Sequence, residues 1–439
     1  MKNILILLPC LLFVKFIDAS SPLLSGPMQG YLEMRESVIW LQTKDASRVY
    51  ALFDDLGTPQ NENRQTNIVN TTEYNGNTAK LYFTELEPGH TYSYRLFIDD
   101  IEVERPYDFE FTTPQPWHQL DKMPEVRLAL ASCFYVNDSS SDRPGNAYGG
   151  DYQILEEIVK KKPTAMLWLG DFAYLRPTDW WSRSGYIYRY TQSRSLPEIQ
   201  PLLAVCPHFG IWDDHEYGPN DANGSWVMKE TALEVFKLFW TNHSYGFDDV
   251  PGIMSGFQLE DISVIITDNR YHRSEQMKNG EEQILGEAQI ERIINLLKYS
   301  RSPFKLVAVG GQVLNSARVY ENHANYEAER QKLIDRIVEE EIKGVIILSG
   351  DRHHSEAMVY EGANGLKIWE FTTSPLTSGP NTNVTETNDY RIDGSLIQER
   401  NFSVIKVSGD RGERVLEIAY FSSSGESLYQ YQIKQSETR

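Results

Sequence analysis

Two periods of hydrophobic positions divide the chain. From about Ser21 to Pro114, short runs alternate apolar and polar residues, as in Ser37–Thr43, Ala79–Thr84, Tyr92–Ile98 and Asp108–Thr113, and Leu86–Tyr92 supplies a Pro-Gly turn. Alternation at period two, punctuated by turn residues, predicts antiparallel strands with one buried face, hence an all-β sandwich. From about Glu125 the period changes. Ile154–Lys161, Val227–Trp240, Ile290–Leu297 and Leu333–Ile342 carry helical apolar spacing, while Phe257–Thr267, Phe304–Val309 and Val345–Leu348 are apolar runs of strand character. Strands alternating with helices predict a layered α/β domain. Phe402–Val407, Val415–Tyr420 and Ser427–Ile433 close it as antiparallel strands. The Pro-bearing connector Thr113–Trp117 sets the boundary, giving a sandwich over residues 20–116 and a second domain over 117–439.

Ahead of both lies an apolar stretch, Ile4–Val14, that ends near Ala19-Ser20. It reads as a secretory signal over residues 1–19, too short to span a bilayer, which takes roughly 20 apolar residues. No later segment comes close to that length, so no transmembrane segment is expected, and the signal implies a secreted or periplasmic protein. The chain has 439 residues, 41% of them hydrophobic, and a formal net charge of −20. That acidity argues against a nucleic-acid-binding surface and against anionic membranes, which demand basic footprints, while it tolerates cations. After the signal only Cys133 and Cys206 remain. One bridge between them is open to the pair, but two cysteines do not make a disulfide-stapled scaffold.

Chemistry gathers at the ends of the apolar runs. Ala165–Tyr174 empties into Gly170-Asp171 and then a phenol, and Val126–Cys133, His208–His215, Leu306–Gln312 and Gly344–His354 each end in a candidate metal ligand. Ligands of open α/β sheets sit at the carboxyl ends of their strands. Asp213-Asp214-His215-Glu216 packs like charges that repel unless a cation neutralises them. Asp351 and His353, at i and i+2, would face one site if the segment were extended. Gln312 reads either as an amide ligand or phosphate donor, or as a polar side chain at the core edge. Arg176, Arg183, Arg189 and Arg194 flank the aromatic stretch Trp180–Tyr190 and read equally as a substrate-pocket wall or as a surface helix. Asp268 and Arg270, after another apolar run, are candidates for support behind the ligands.

Taken in order, Gly170-Asp171 with Tyr174, Trp212–Glu216, Gly350–His354 and Phe371–Ser378 resemble the motif set of the alkaline phosphatase D family of metallophosphoesterases. The likeness covers roughly residues 125–390, and the Pro-Gly turn of Leu86–Tyr92 resembles that of fibronectin type III domains. The resemblance implies a metallophosphoesterase-type α/β sandwich behind a fibronectin type III-like domain. It also implies metal ligation by Cys133, Asp171, Tyr174, Asp214, Asp351 and His353, with Asp171 bridging two ions. Gln312 and His354 become candidates for substrate binding, although His354, next to His353 on an extended chain, should point away.

The expected metals are Fe³⁺, suited to thiolate and phenolate, and Ca²⁺, suited to the oxygen-rich set, with Mg²⁺, Mn²⁺ or Zn²⁺ as alternatives. Two such ions would activate a bridging water for attack on small phosphate monoesters or diesters. His215 is the candidate catalytic acid for the leaving alkoxide, with metal ligation as its alternative. The rival reading is a non-catalytic cell-surface binding protein that retains a degenerate phosphoesterase domain. Sequons at Asn70, Asn137, Asn223, Asn242, Asn383 and Asn401 matter only in a host that glycosylates secreted proteins.

Overall fold

The computed structural model describes residues 21–58, 63–120, 122–275 and 282–438. The expected signal at residues 1–19 lies outside them.

The N-terminal region forms two facing sheets. One orders Leu23–Leu32, Glu36–Thr43 and Thr78–Thr84; the other is built on Arg48–Asp55 paired with Thr91–Ile98. Their inward positions, among them Ile39, Leu41, Val49, Phe53, Leu81, Phe83 and Leu96, make a core of their own. Leu23–Leu32 and Arg48–Asp55 were not foreseen as strands.

The larger region is two six-stranded sheets laid face to face. In the first, His208–Ile211, Ala165–Leu169 and Val126–Ala131 run parallel, and Asn401–Ser408, Val415–Ser422 and Ser427–Lys434 extend it antiparallel. In the second, Ile262–Ile266, Lys305–Ala308, Val345–Ser349 and Lys367–Thr372 are parallel, flanked by the antiparallel strands Ser255–Leu259 and Glu356–Glu361. Alternation assigns the faces. Ile262, Val264, Ile266, Leu306, Ala308, Ile346 and Leu348 turn toward the first sheet. Ile265, Val307, Val345 and Ile347 turn outward under the helices Glu287–Tyr299 and Glu327–Glu339. The layered α/β architecture is therefore as expected, with one correction. Phe257–Thr267 is not a single strand but a hairpin, broken at Glu260 by a left-handed φ of 49°.

The sandwich and the larger region share a core. Met28 and Trp40 belong to the main cluster, and the Trp40 indole N–H donates to the Leu238 carbonyl at 2.9 Å.

Candidate metal centre

The parallel strands of both sheets deliver their carboxyl ends to one place. The chain leaves Ala131, Leu169 and Ser349 through turns in which Cys133, Asp171, Asp351 and His353 all adopt left-handed φ, from 55° to 66°. Each costs an L-residue on the order of 1–2 kcal/mol, so the surroundings must impose it. Crowding explains the glycine before each aspartate. A Cβ on Gly170, whose φ is +89°, would lie 2.7 Å from the Asp213 Cβ, and one on Gly350 would lie 2.4 Å from the Leu169 carbonyl oxygen. The turns are held by hydrogen bonds: Cys133 N–H to Gly170 O at 3.3 Å, Phe134 N–H to Asp171 O at 2.8 Å, and His353 N–H to Ser374 Oγ at 2.9 Å.

The result is a row of donor atoms that overlap in Asp171 and Asp214. Cys133, Asp171 and His353 bring ligand atoms within 4.8 Å of one another; so do Asp171, Asp214 and His215, then Asp213, Asp214 and Asp351, then Asp214, Asp221 and Glu321. The Tyr174 hydroxyl lies 3.0 Å from Asp171 Oδ2 and 3.5 Å from His353 Nε2, and it accepts from Ser378 Oγ. His353 donates through Nδ1 to the Gly379 carbonyl at 2.8 Å, which leaves Nε2 free to turn toward Cys133 and Asp171. Asp351 and His353 reach the centre through their left-handed turns rather than along an extended strand. Cys133 and Cys206 are both free thiols, so they form no bridge.

Electrostatics shows what this arrangement lacks. Burial and the neighbouring carboxylates of Asp214, Asp213, Glu216 and Asp351 push the Asp171 carboxyl far above its usual range. Burial likewise raises Cys133 and Tyr174, each further lifted by Asp171. Asp171 Oδ1, Asp213 Oδ2 and Asp214 Oδ1 are buried without hydrogen-bond partners. Carboxylates that cannot all ionise together, with lone pairs facing no donor, fit cations. A thiol-phenol-imidazole set would hold one ion and an all-oxygen set the next, with Asp171 between them.

Above the ligands opens a cleft of about 790 Å³ lined by Asp171, Asp214, His215, Asp351 and His353. Its rim includes Tyr148, Asp221, Arg273, Glu275, Glu282, Tyr320, Glu321, Tyr326 and Arg352. Its cationic side chains are already engaged. Arg273 pairs with Glu321, and Arg352 donates to Gln312 Oε1 and Asn322 Oδ1 at 2.7 Å and to Glu386 at 2.6 Å. His215 sits against Tyr174, ring centroids 4.1 Å apart, and burial holds its pKa below the ordinary imidazole value.

Seven of the expected residues thus converge: Cys133, Asp171, Tyr174, Asp214, His215, Asp351 and His353. Two do not. Gln312 is fully buried, with Nε2 donating to Glu356 and Thr372 and Oε1 accepting from Asn315 and Arg352. His354 is buried beside Glu356, its Nδ1 against the Arg352 carbonyl, on the side away from the cleft. Nor do Arg176, Arg183, Arg189 and Arg194 line the cleft; the first three pair with Asp142, Glu234 and Asp138.

Asp268 and Arg270 stand behind the ligands, as expected, whereas Glu321 and Asp221 went unforeseen. Asp213 is gripped by Asn269 and Arg270, and Arg270 is itself bound to Glu321. Asp268 accepts from the Trp212 indole at 2.9 Å and from the backbone of Ile253, Arg270 and Tyr271. Glu321 and Asp221 come from loops with no strand before them to signal a ligand.

The fold is of the metallophosphoesterase type, and its donor set is one that could hold cations. Within the chain, the family model of the PhoD-like phosphatases matches residues 256–421. Residues 20–116 match a domain of unknown function, DUF7800. Alkaline phosphatase D of Bacillus subtilis (strain 168) is 22% identical over 362 residues, covering 67% of this chain and 60% of that protein. A solved structure of PhoD superposes with a TM-score of 0.75 at 18% identity, over 95% of this chain and 92% of the other. Purple acid phosphatase PPD1 from yellow lupin (Lupinus luteus) seeds follows with a TM-score of 0.67 at 13% identity, over 93% and 74%. At such identities these two likenesses speak for the fold.

Proposed function

We propose that the protein is a secreted, metal-dependent phosphoesterase that hydrolyses phosphate monoesters, diesters or both. The observation that carries this reading is that Asp171 belongs both to a sulfur-phenol-imidazole donor set and, with Asp214 and His215, to a second group that overlaps the carboxylates of Asp213 and Asp351, all at the foot of one cleft. Cys133, Tyr174 and His353 suit Fe³⁺, and Asp214 and Asp351 suit Ca²⁺. Two such cations supply Lewis acidity to a phosphoryl oxygen and lower the pKa of water.

The chain's own residues do the rest. The cleft is lined by Asp171, Asp214, Asp221, Glu275, Glu282, Glu321 and Asp351 against Arg273 and Arg352, so an anionic ester would be repelled unless cations reverse the charge. Glu216 fixes the turn that presents Asp171, and Gly379 fixes the His353 tautomer. His215 lines the cleft and is our candidate to hand a proton from its imidazole to the leaving alkoxide oxygen. Residues 1–19 would serve as the export signal. The sandwich of 20–116, similar in its turn to fibronectin type III domains, would act as a support docked on the catalytic region of 117–439.

Hydrolysis of nitrophenyl phosphate and bis-nitrophenyl phosphate, measured before and after exhaustive chelation with metal content determined in parallel, tests the reading. Activity should vanish on chelation and return with Fe³⁺ and Ca²⁺. Full turnover by metal-free protein would refute it.

A further inference from the structure

Arg194 closes the helix Arg183–Arg194 at the seam between the sandwich and the catalytic region, and it is completely buried. Its guanidinium carbon lies 4.8 Å from the ring centre of Trp40, 4.9 Å from that of Phe172 and 4.4 Å from that of Trp240. Among the described residues no carboxylate comes within ion-pairing distance of it. Nη1 meets only the thioether of Met28, a weak acceptor, while Nε and Nη2 find no acceptor from the protein.

The aromatic rings account for part of this. Ring faces attract the flat face of a guanidinium, but they leave its in-plane N–H groups unpaired. The unpaired edge here is the Nε–Nη2 fork, the edge with which arginine grips anions two bonds at a time. Two further buried groups lie close by: the Tyr190 hydroxyl, one helical turn before Arg194, and the Trp240 indole N–H, whose ring the guanidinium covers; they face one another, and the Tyr190 hydroxyl proton meets no acceptor. Burial pulls the pKa of Arg194 down to about 9, which still leaves it charged at neutral pH. A buried charge without a counter-ion is costly, and each unpaired buried donor adds to that cost. An unpaired cationic fork, with the Tyr190 hydroxyl one helical turn away, therefore lies where the protein supplies no negative charge.

We propose that the Nε–Nη2 edge of Arg194, with the Tyr190 hydroxyl, holds a small monovalent anion of the halide class, chloride in ordinary media, as the counter-ion of this seam. A halide fits the chemistry, whereas a phosphate would bring oxygens for which no further donors are at hand. The site is separate from the metal centre, although Phe172, one of its walls, directly follows Asp171.

The full-length protein tests this through its melting temperature in sodium chloride, sodium bromide and sodium gluconate at equal ionic strength. Chloride and bromide should raise it saturably, by about 2–4 °C over gluconate. The rise should disappear in Arg194→Met and shrink in Tyr190→Phe, and bromide should give an anomalous scattering peak within hydrogen-bonding reach of Arg194. If Arg194→Met fails to fold, the wild-type anion series, the bromide peak and Tyr190→Phe decide. Melting temperatures that follow ionic strength whatever the anion, or bromide-soaked crystals with no peak at Arg194, would overturn the proposal and leave water as the occupant.

Discussion

The carboxylate of Glu216 accepts the backbone N–H of Asp171 at 2.9 Å; it also accepts those of Asp213, at 3.0 Å, and Phe172. One side chain thus ties together the two turns that carry the shared donor Asp171 and its neighbour Asp214. It is fully buried, and burial pushes its pKa up to about 8 against those hydrogen bonds. Glu216→Gln would turn an amide N–H toward backbone donors and loosen the Asp171 turn. Metal affinity should fall by about 10–100-fold, the usual cost of losing support behind a ligand. Titration of metal content against free metal checks this; unchanged affinity would make Glu216 a packing group only.

Asp171 carries opposite consequences for stability and function. Without cations its carboxyl is disfavoured by burial and by the carboxylates of Asp214, Asp213, Glu216 and Asp351. A carboxyl raised in the folded state costs stability once pH climbs above its unfolded value, so at neutral pH the metal-free protein bears that cost. Asp171→Asn should therefore melt about 2–4 °C higher than metal-free wild type while losing all phosphoesterase turnover. A metal-free variant that melts lower would show that the carboxylate cluster is relieved in some other way.

Gln312 and His354 should behave as structural residues. Every polar atom of the Gln312 amide is engaged by Glu356, Thr372, Asn315 or Arg352. Gln312→Ala strands those buried partners and should cost about 1–3 kcal/mol, seen as a lower midpoint in denaturant, with KM unchanged. His354→Ala should do the same through Glu356. A raised KM with unchanged stability in either variant would return it to the substrate site.

The legible part of the centre is the part written in consecutive residues. Gly170-Asp171 and Gly350-Asp351 end fully buried strands, so period and punctuation announce them, and the crowding around both glycines is the physical source of that punctuation. Glu321 and Asp221 were opaque because only the tertiary fold joins them to Asp214 and Arg270. Gln312 misled for a related reason: its partners Glu356 and Arg352 lie some forty residues away, and a polar residue after a strand reads alike whether it faces a cleft or a buried network. His354 was placed by alternation on the far side, and it does lie away from the cleft, but the backbone there is not extended. The hairpin inside Phe257–Thr267 was hidden because its turn, at Glu260-Asp261, contains neither Gly nor Pro.

That turn gives a prediction about pH. Glu260 is partly buried, its Oε2 lacks a partner, and burial, with Asp261 and Glu33 nearby, pushes its pKa up to about 7 against the pull of Arg414. In the unfolded chain the same carboxyl titrates at its ordinary value of 4.5. Between these values the folded state keeps a proton that the unfolded state has lost, so stability falls as pH rises through the window and is flat on either side. The full shift would correspond to about 3 kcal/mol, but the side chain is only partly buried, and solvent screening reduces this to about 1 kcal/mol. Glu260→Gln removes the titration and keeps the shape. Its melting temperature relative to wild type should therefore climb by about 2 °C between pH 4.5 and pH 7.5 and remain level above that. A difference that is the same at both ends of the window would mean that Glu260 ionises freely in the folded protein.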